Sequence, residues 1–182
     1  PKGLEVEAHV VPRAEQRSEI DTDAYHGGVV YSQHASIDPA RYHQGILERV
    51  RAAGARIVAR CPVTAIQRDG DRYRVTTARG TTSARDVVVA TNGYTGPLVP
   101  WLARRVIPIG SYVIATEPLP ASLTAKLLPR NRIVSDTRKV VYYYRLTPDR
   151  RRILFGGRVS VRETDPAVSG PRLHAAMAKI FP

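Results

Sequence analysis

The sequence of 182 residues predicts an α+β fold built on a mixed, largely antiparallel sheet. Three observations carry that expectation. Asp38–Pro39 opens one clear amphipathic helix; tight turns after it join short strands into a β-meander; and further strand candidates follow one another between residues 133 and 155. Successive antiparallel strands of this kind build a pocket wall rather than a second nucleotide-binding fold.

Taken in order, residues 1–23 are polar and mixed, broken by Pro12, with a short helix candidate over Arg13–Glu19. Tyr25–Tyr31 reads as a strand interrupted by Gly27–Gly28, a doublet that marks either a bulge or a close backbone approach. At Asp38–Pro39 the aspartate suits the N-cap and the proline suits the first helical position. Tyr42, Ile46, Val50 and Ala53 then form an apolar stripe, and Gly54 supplies the stop. Ala55–Ala59 is a short strand candidate, and Pro62 breaks the run after it. Val63–Ile66 and Tyr73–Thr76 flank Asp69–Gly70–Asp71, which reads as a hairpin turn, and Arg79–Gly80 reads as a second turn.

The meander closes on Asp86–Val87–Val88–Val89–Ala90–Thr91–Asn92–Gly93–Tyr94. An apolar, β-branched run without polar alternation predicts a strand covered on both faces. It stops at Thr91–Asn92–Gly93, where glycine offers the backbone freedom of a tight turn. The carboxyl end of a buried strand in an open α/β sheet is where ligands sit. A core strand followed by an ordinary turn is the plain alternative. Further on, Val106–Ala115 predicts a long strand and Leu123–Leu128 a short helix. Strands are expected at Ile133–Val134, Val140–Leu146 and Ile153–Phe155, with turns at Asp136–Arg138 and Pro148–Asp149, and a helix at Leu173–Ile180.

Composition narrows the function classes. Hydrophobic residues at 43% and charged residues at 24% are ordinary for a soluble globular domain. A net charge of +12 raises nucleic acid or acidic lipid as partners. The excess is arginine, however, scattered along the chain, and Lys2, Lys126, Lys139 and Lys179 are the only lysines. No recognition helix, zinc pattern or RNP-like aromatic strand accompanies it. A solvated arginine-rich surface is the better reading; a non-catalytic basic domain binding nucleic acid or an acidic partner is the runner-up. The single cysteine, Cys61, rules out an internal disulfide framework and suits a reducing compartment, which points to the cytoplasm. No run approaches the ~20 apolar residues that span a bilayer, and the N-terminal residues do not read as a secretory signal. No Cys/His cluster suggests a metal, and neither a G-x-S-x-G elbow nor a Walker loop is present.

One group of motifs goes further. Ala90–Thr91–Asn92–Gly93–Tyr94–Thr95–Gly96, Arg104–Ile109, Ser111–Tyr112 and Ala115–Leu119 read as one continuous signature. Tyr25–Gly28, Asp38–Pro39 with Tyr42, and Tyr143–Asp149 running on to Phe155–Arg158 extend it. The whole resembles the glycine oxidase/D-amino-acid oxidase (DAO) family of FAD-dependent oxidoreductases, nearest its gamma-glutamylputrescine oxidoreductase branch. The likeness covers nearly all of the chain in order. The family opens with a strand, a G-x-G-x-x-G turn and a helix, and no such triplet of glycines occurs here. On the resemblance the chain is therefore the middle of a longer enzyme, whose N- and C-terminal segments would be its partners. It implies a substrate-domain segment over 1–37, part of the FAD-binding domain over 38–100, and a substrate-binding antiparallel sheet with the start of a C-terminal helix over 101–182.

The resemblance also implies chemistry. The cofactor would be FAD, held weakly or not at all by this chain by itself. The substrate would be a small amine or amino acid, with a gamma-glutamylated polyamine as one candidate, oxidised by hydride transfer to flavin N5 and hydrolysis of the imine. Val63 would lie where the backbone touches the adenine, and Ala90, Thr91, Asn92 and Gly93 beside the pyrophosphate and ribitol. Small residues there permit close backbone approach, while Thr and Asn offer hydrogen bonds. Tyr112, Tyr142, Tyr144 and Arg145 are the substrate-binding candidates. Aromatic walls suit an aliphatic amine, and arginine suits a carboxylate through a bidentate pair. Strand alternation sends Tyr143 to the face opposite Tyr142 and Tyr144. For each tyrosine a core or sheet-surface aromatic is the better reading, while Arg145 is equally well explained as a plain surface charge. No general base stands out, although His26 and His34 flank the glycine doublet, so the catalytic residues stay unassigned.

Overall fold

The computed structural model describes residues 6–107, 109–139, 141–158 and 165–182. Strands β1 (Ala8–Pro12) and β2 (Gly27–Tyr31) come first, with a 3-10 helix at Arg13–Ser18 between them. Helix α1 (Pro39–Ala52) leads to β3 (Val63–Asp69), β4 (Arg72–Thr77) and β5 (Gly80–Ala84). A 3-10 turn at Asn92–Tyr94 and the short helix α2 (Pro100–Ala103) follow. The chain then runs through β6 (Ser111–Ala115), α3 (Ala121–Leu127), β7 (Val134–Ser135), β8 (Tyr142–Leu146), β9 (Ile153–Arg158) and α4 (Pro166–Ile180). These elements fall into two compact units, Pro1–Pro39 together with Gly110–Pro182, and Ala40–Ile109.

The first unit holds the core. Its main sheet runs β6-β9-β8-β7, with every neighbouring pair antiparallel. Tyr144 pairs with Phe155 and Leu146 with Ile153, so these four side chains share one face. That face packs with Leu173, Ala176 and Ile180 of α4 and with Leu128 after α3. Helix α4 starts earlier than Leu173: Asp165 caps it by accepting from Ala167 N at 2.7 Å, and Pro166 occupies the first turn. The same Asp-Pro pairing begins α1, so the signal was present twice. In the smaller sheet, β1 and β2 pair antiparallel without a break in register. Gly27 is therefore a close approach and not a bulge: its φ is +123°, and a Cβ there would lie 2.7 Å from Val11 O. Segment 16–24 is tied to the core side. Thr22 donates its hydroxyl to Ile180 O, Asp21 N donates to Leu127 O at 3.0 Å, and Arg132 grips Glu19 with two guanidinium nitrogens.

The second unit is the meander β3-β4-β5 with α1 and the segment after β5. Gly70 (φ +65°) and Gly80 (φ +128°) take left-handed conformations at its two turns, as the Asp-Gly and Arg-Gly dipeptides require. None of its described residues is buried. Tyr42, Ile46 and Val50 do fall on one stripe of α1, yet all are exposed. A stripe states which face needs a partner; it does not supply one.

Several expected elements differ. Ala55–Ala59 forms no strand. The expected long strand over Val106–Ala115 is confined to Ser111–Ala115, and the strand at Val140 begins at Tyr142; Pro108 and Val140 lie outside the described residues. The larger correction is Asp86–Ala90. This run was expected to be a strand covered on both faces, but it pairs with no strand among the described residues, and Val88 is 88% exposed. A β-branched run becomes a strand only where neighbours take its N–H and C=O groups, and β5 is not placed to do so. The α+β class itself holds, with antiparallel sheets.

Candidate functional site

The faces of the β6-β9-β8 sheet decide which side chains can meet. Tyr112 and Tyr142 both pair with Gly157, and Tyr144 pairs with Phe155, so all three tyrosines share the α4 side. Tyr144 is 1% exposed, stacked on Phe155 at 5.5 Å and edge-on to Phe181 at 5.5 Å. Its hydroxyl donates to Tyr25 Oη at 3.1 Å. Burial raises the pKa of both phenols and keeps them neutral. Tyr112 and Tyr142 pack against the same core cluster. The structure thus brings Tyr112, Tyr142 and Tyr144 together as packing residues and sends Arg145 to the other face, because strand side chains alternate.

That other face is the open one. It carries Ser111, Val113, Tyr143, Arg145, Leu154 and Gly156, and Val113 is exposed. The ring of Tyr143 lies flat across Gly156, and its hydroxyl meets Ser111 Oγ at 2.8 Å. The result is a hydroxyl-bearing aromatic floor spanning three strands. Tyr143 had been set apart from the other tyrosines by alternation alone. The signal for its role was the Gly156–Gly157 doublet one strand away, where missing side chains leave room for a ring.

Arg145 sits further along this face. Its Nη1 donates to Ile37 O at 2.7 Å and its Nε to Leu146 O at 3.3 Å. It borders a cleft of about 180 Å³ whose polar lining includes Ser36, Asp38, Asn131 and Thr147. A guanidinium has more donors than two carbonyls can use, and the cleft offers an arginine beside hydroxyl and amide groups and the Asp38 carboxylate. The two histidines are exposed: His26 Nδ1 lies 3.4 Å from Arg13 Nη1, and His34 stacks on Tyr31 at 4.8 Å.

The expected cofactor residues all lie in the second unit. Val63 opens β3 opposite Thr77, at a register shift between Val63 and Ala65. Ala90 is exposed and leads into the Asn92–Tyr94 turn, closed by Tyr94 N donating to Thr91 O at 3.0 Å. The Thr91 and Thr95 hydroxyls meet at 2.7 Å, and Thr95 Oγ1 donates to Asn92 O at 2.7 Å. The left-handed residue of this turn is Asn92 (φ +49°) and not Gly93. Asparagine tolerates that region. Gly93 and Gly96 instead leave space: a Cβ at either would meet nothing within 4 Å. The sterically open backbone at Gly93 and Gly96 leaves room for an extended cofactor to lie against it.

Comparison with known proteins identifies the architecture. Residues 2–182 match the family described as FAD dependent oxidoreductase (DAO). The chain belongs to that family. Among its relatives, gamma-glutamylputrescine oxidoreductase of Escherichia coli (strain K12) is 36% identical over 167 residues, covering 91% of this chain and 39% of that protein. The probable oxidoreductase OrdL of Rhizobium meliloti (strain 1021) is 31% identical, covering 93% of this chain and 39% of that protein. The chain thus spans about two fifths of the length of these relatives. In structure it resembles glycine oxidase from Geobacillus kaustophilus, with a TM-score of 0.71 at 15% identity over 96% of this chain and 46% of that one. It also resembles NikD, an amino acid oxidase of nikkomycin biosynthesis, with a TM-score of 0.65 at 18% identity over 96% and 49%. Both likenesses are to the DAO fold. No helix among the described residues is long and apolar enough to cross a membrane.

Proposed function

We propose that this chain is the central part of an FAD-dependent enzyme that oxidises a small amine or amino acid. The observation that carries the reading is the open sheet face with Tyr143 laid over Gly156 and Arg145 on the same side, in a chain of this family. FAD, when bound, supplies the electron-accepting chemistry. The chain's own residues supply position: the small-residue segment Ala90–Gly93, with Val63, forms one wall of the cofactor site. The sheet segment 101–182 and residues 1–37 supply the substrate side, and residues 38–100 belong to the FAD side. Further polypeptide of the same protein covers the exposed stripe of α1 and the run Asp86–Ala90. The single cysteine suits the cytoplasm.

On this reading Arg145 is the anchor for a substrate carboxylate, and the hydroxyl of Tyr143 faces the substrate. The likeness to gamma-glutamylputrescine oxidoreductase supports a gamma-glutamylated polyamine as the amine, since a gamma-glutamyl group carries a carboxylate that an arginine fork can hold. The packed positions of Tyr112, Tyr142 and Tyr144 make them the backing of this surface.

The deciding experiment is flavin binding and turnover by the full-length protein. A yellow protein whose flavin bleaches on adding an amine, with hydrogen peroxide or another reduced acceptor formed, supports the reading. A folded, colourless protein overturns it and leaves the basic surface as the property to test, by the salt dependence of nucleic-acid binding. Comparing a gamma-glutamylated amine with the free amine then tests the substrate. Arg145→Ala should raise KM for the carboxylate-bearing amine only.

A further inference from the structure

Away from the open face, beside the tyrosines of the core side, the residues after β7 hold a buried carboxylate with one oxygen that accepts no hydrogen bond among the described residues. Asp136 is fastened to β8: its N–H donates to Tyr142 O at 2.9 Å, and Tyr142 N donates back to Asp136 Oδ1 at 2.9 Å. Arg138 N adds a longer bond to the same oxygen at 3.4 Å. The Asp136 side chain is only 2% exposed, yet its second oxygen, Oδ2, has no hydrogen-bond partner among the described residues. The cation that faces Oδ2 is Arg138, whose Nε lies 3.5 Å away. The guanidinium carbon of Arg138 also stands 5.7 Å from the ring centroids of both Tyr25 and Tyr142. Tyr25 is held in turn by the hydroxyl of Tyr144.

These groups form a niche for a planar cation: two aromatic faces, a buried carboxylate at the edge, and a mouth where Arg138 is 43% exposed. Arg138 fills it imperfectly, for a geometric reason. Its Nε, 3.5 Å from Oδ2, makes an ion pair there but no hydrogen bond. Its separation from both rings is close to the ~6 Å outer limit of useful cation–π attraction. A buried carboxylate oxygen without a donor is costly, so a guanidinium not tied to the chain has something to gain by entering. A guanidinium suits the niche better than a compact ammonium, because its flat face stacks on rings while its edge presents a fork of N–H donors to a carboxylate.

We propose that Tyr25, Tyr142 and Asp136 form a binding niche for a small monoalkylguanidinium ligand, closed in this structure by Arg138 as its internal occupant. The niche is separate from the open face assigned above to substrate and stands independently of that assignment. Ligand entry displaces Arg138 and frees the segment following β7 from its contact with Tyr25.

The test uses the full-length protein and ethylguanidinium chloride as the probe, titrated calorimetrically at constant ionic strength, with tetramethylammonium chloride as the control cation. The wild type should bind ethylguanidinium saturably. Arg138→Ala should bind about tenfold more tightly, since removing an internal occupant restores the competent fraction. Arg138→Gln, which keeps the stem and loses the charge, provides the same comparison if the alanine variant folds poorly. Asp136→Asn, which can still accept from Tyr142 N, should lose the binding in either background. Equal affinity in wild type and both Arg138 variants overturns the proposal. So does binding that survives Asp136→Asn, or a response to tetramethylammonium equal to that to ethylguanidinium.

Discussion

The ring of Tyr143 lies so closely over Gly156 that a Cβ on residue 156 would stand 2.2 Å from Tyr143 Cε2. The pair sits on adjacent strands in register, so the glycine is what lets the ring lie flat and reach Ser111. Gly156→Ala must push the ring off this face and break the Ser111 contact, at a cost of about 1–3 kcal/mol. Combined with Tyr143→Ala the cost should fall well below the sum of the two single changes, because the clash disappears with the ring. Denaturant unfolding of the four proteins measures this.

The core side offers a contrast between packing and polarity. Phe155 is 0% exposed and touches the rings of Tyr142 and Tyr144. Phe155→Ala should therefore cost about 3–5 kcal/mol. Tyr144→Phe keeps the ring and removes only the bond to Tyr25, so about 1 kcal/mol is expected. The same unfolding experiment should rank them in that order.

Glu19 and Arg132 make a stability that depends on pH. The Arg132 hydrogen bonds, outweighing burial, hold the Glu19 carboxyl below its ordinary value of 4.5. A group with a depressed folded pKa contributes fully above its unfolded value, and that contribution fades as the pH falls through the folded one. Arg132→Met should lower Tm at neutral pH, with the gap from wild type closing as the pH drops below 4.5. A gap of constant size at every pH would show that the arginine acts by packing alone.

At the proposed cofactor wall, backbone shape and open space reside in different residues. Asn92 carries the left-handed backbone, so Asn92→Gly should be nearly neutral for stability while Asn92→Val should cost about 1–2 kcal/mol. Gly93→Ala meets no neighbour within 4 Å and should leave the melting temperature unchanged. If the flavin lies against this backbone, Gly93→Ala in the full-length protein should still weaken FAD binding. Titration of the apoprotein with FAD, followed by flavin fluorescence, reads both effects separately.

Burial differs between the units, and amide exchange should reflect it. Amides of β8 and β9, whose side chains enclose the core cluster, should be the slowest to exchange. Those of β3, β4 and β5, in a unit with no buried described residue, should exchange much faster in this 182-residue chain. Exchange followed by mass spectrometry tests this directly.

The local grammar of the chain was legible. Asp38–Pro39 placed the start of α1, Gly54 its end, Asp69–Gly70–Asp71 and Arg79–Gly80 the meander turns, and the tyrosine-rich run the strand β8. The motifs from Ala90 to Arg158 were enough to place the family. These are properties of neighbouring residues, set by backbone sterics and capping, and a linear reading contains them.

Where side chains meet was not legible in the same way. Whether Val87–Val89 is covered depends on which strands lie beside it, and Val88 stands exposed here. Arg145 and the tyrosines at 142 and 144 are near in sequence, yet the sheet puts them on opposite faces. Tyr143 gained its place from Gly156, and Asp136 its unsatisfied oxygen from burial beside Tyr142. Sequence by itself determined the turns, the ends of α1, the strand β8 and the family, because turns, caps and periodicity act over a few residues. Tertiary structure alone decided the open face, the glycine under Tyr143 and the niche around Asp136, because register and burial are set by partners that lie far apart along the chain.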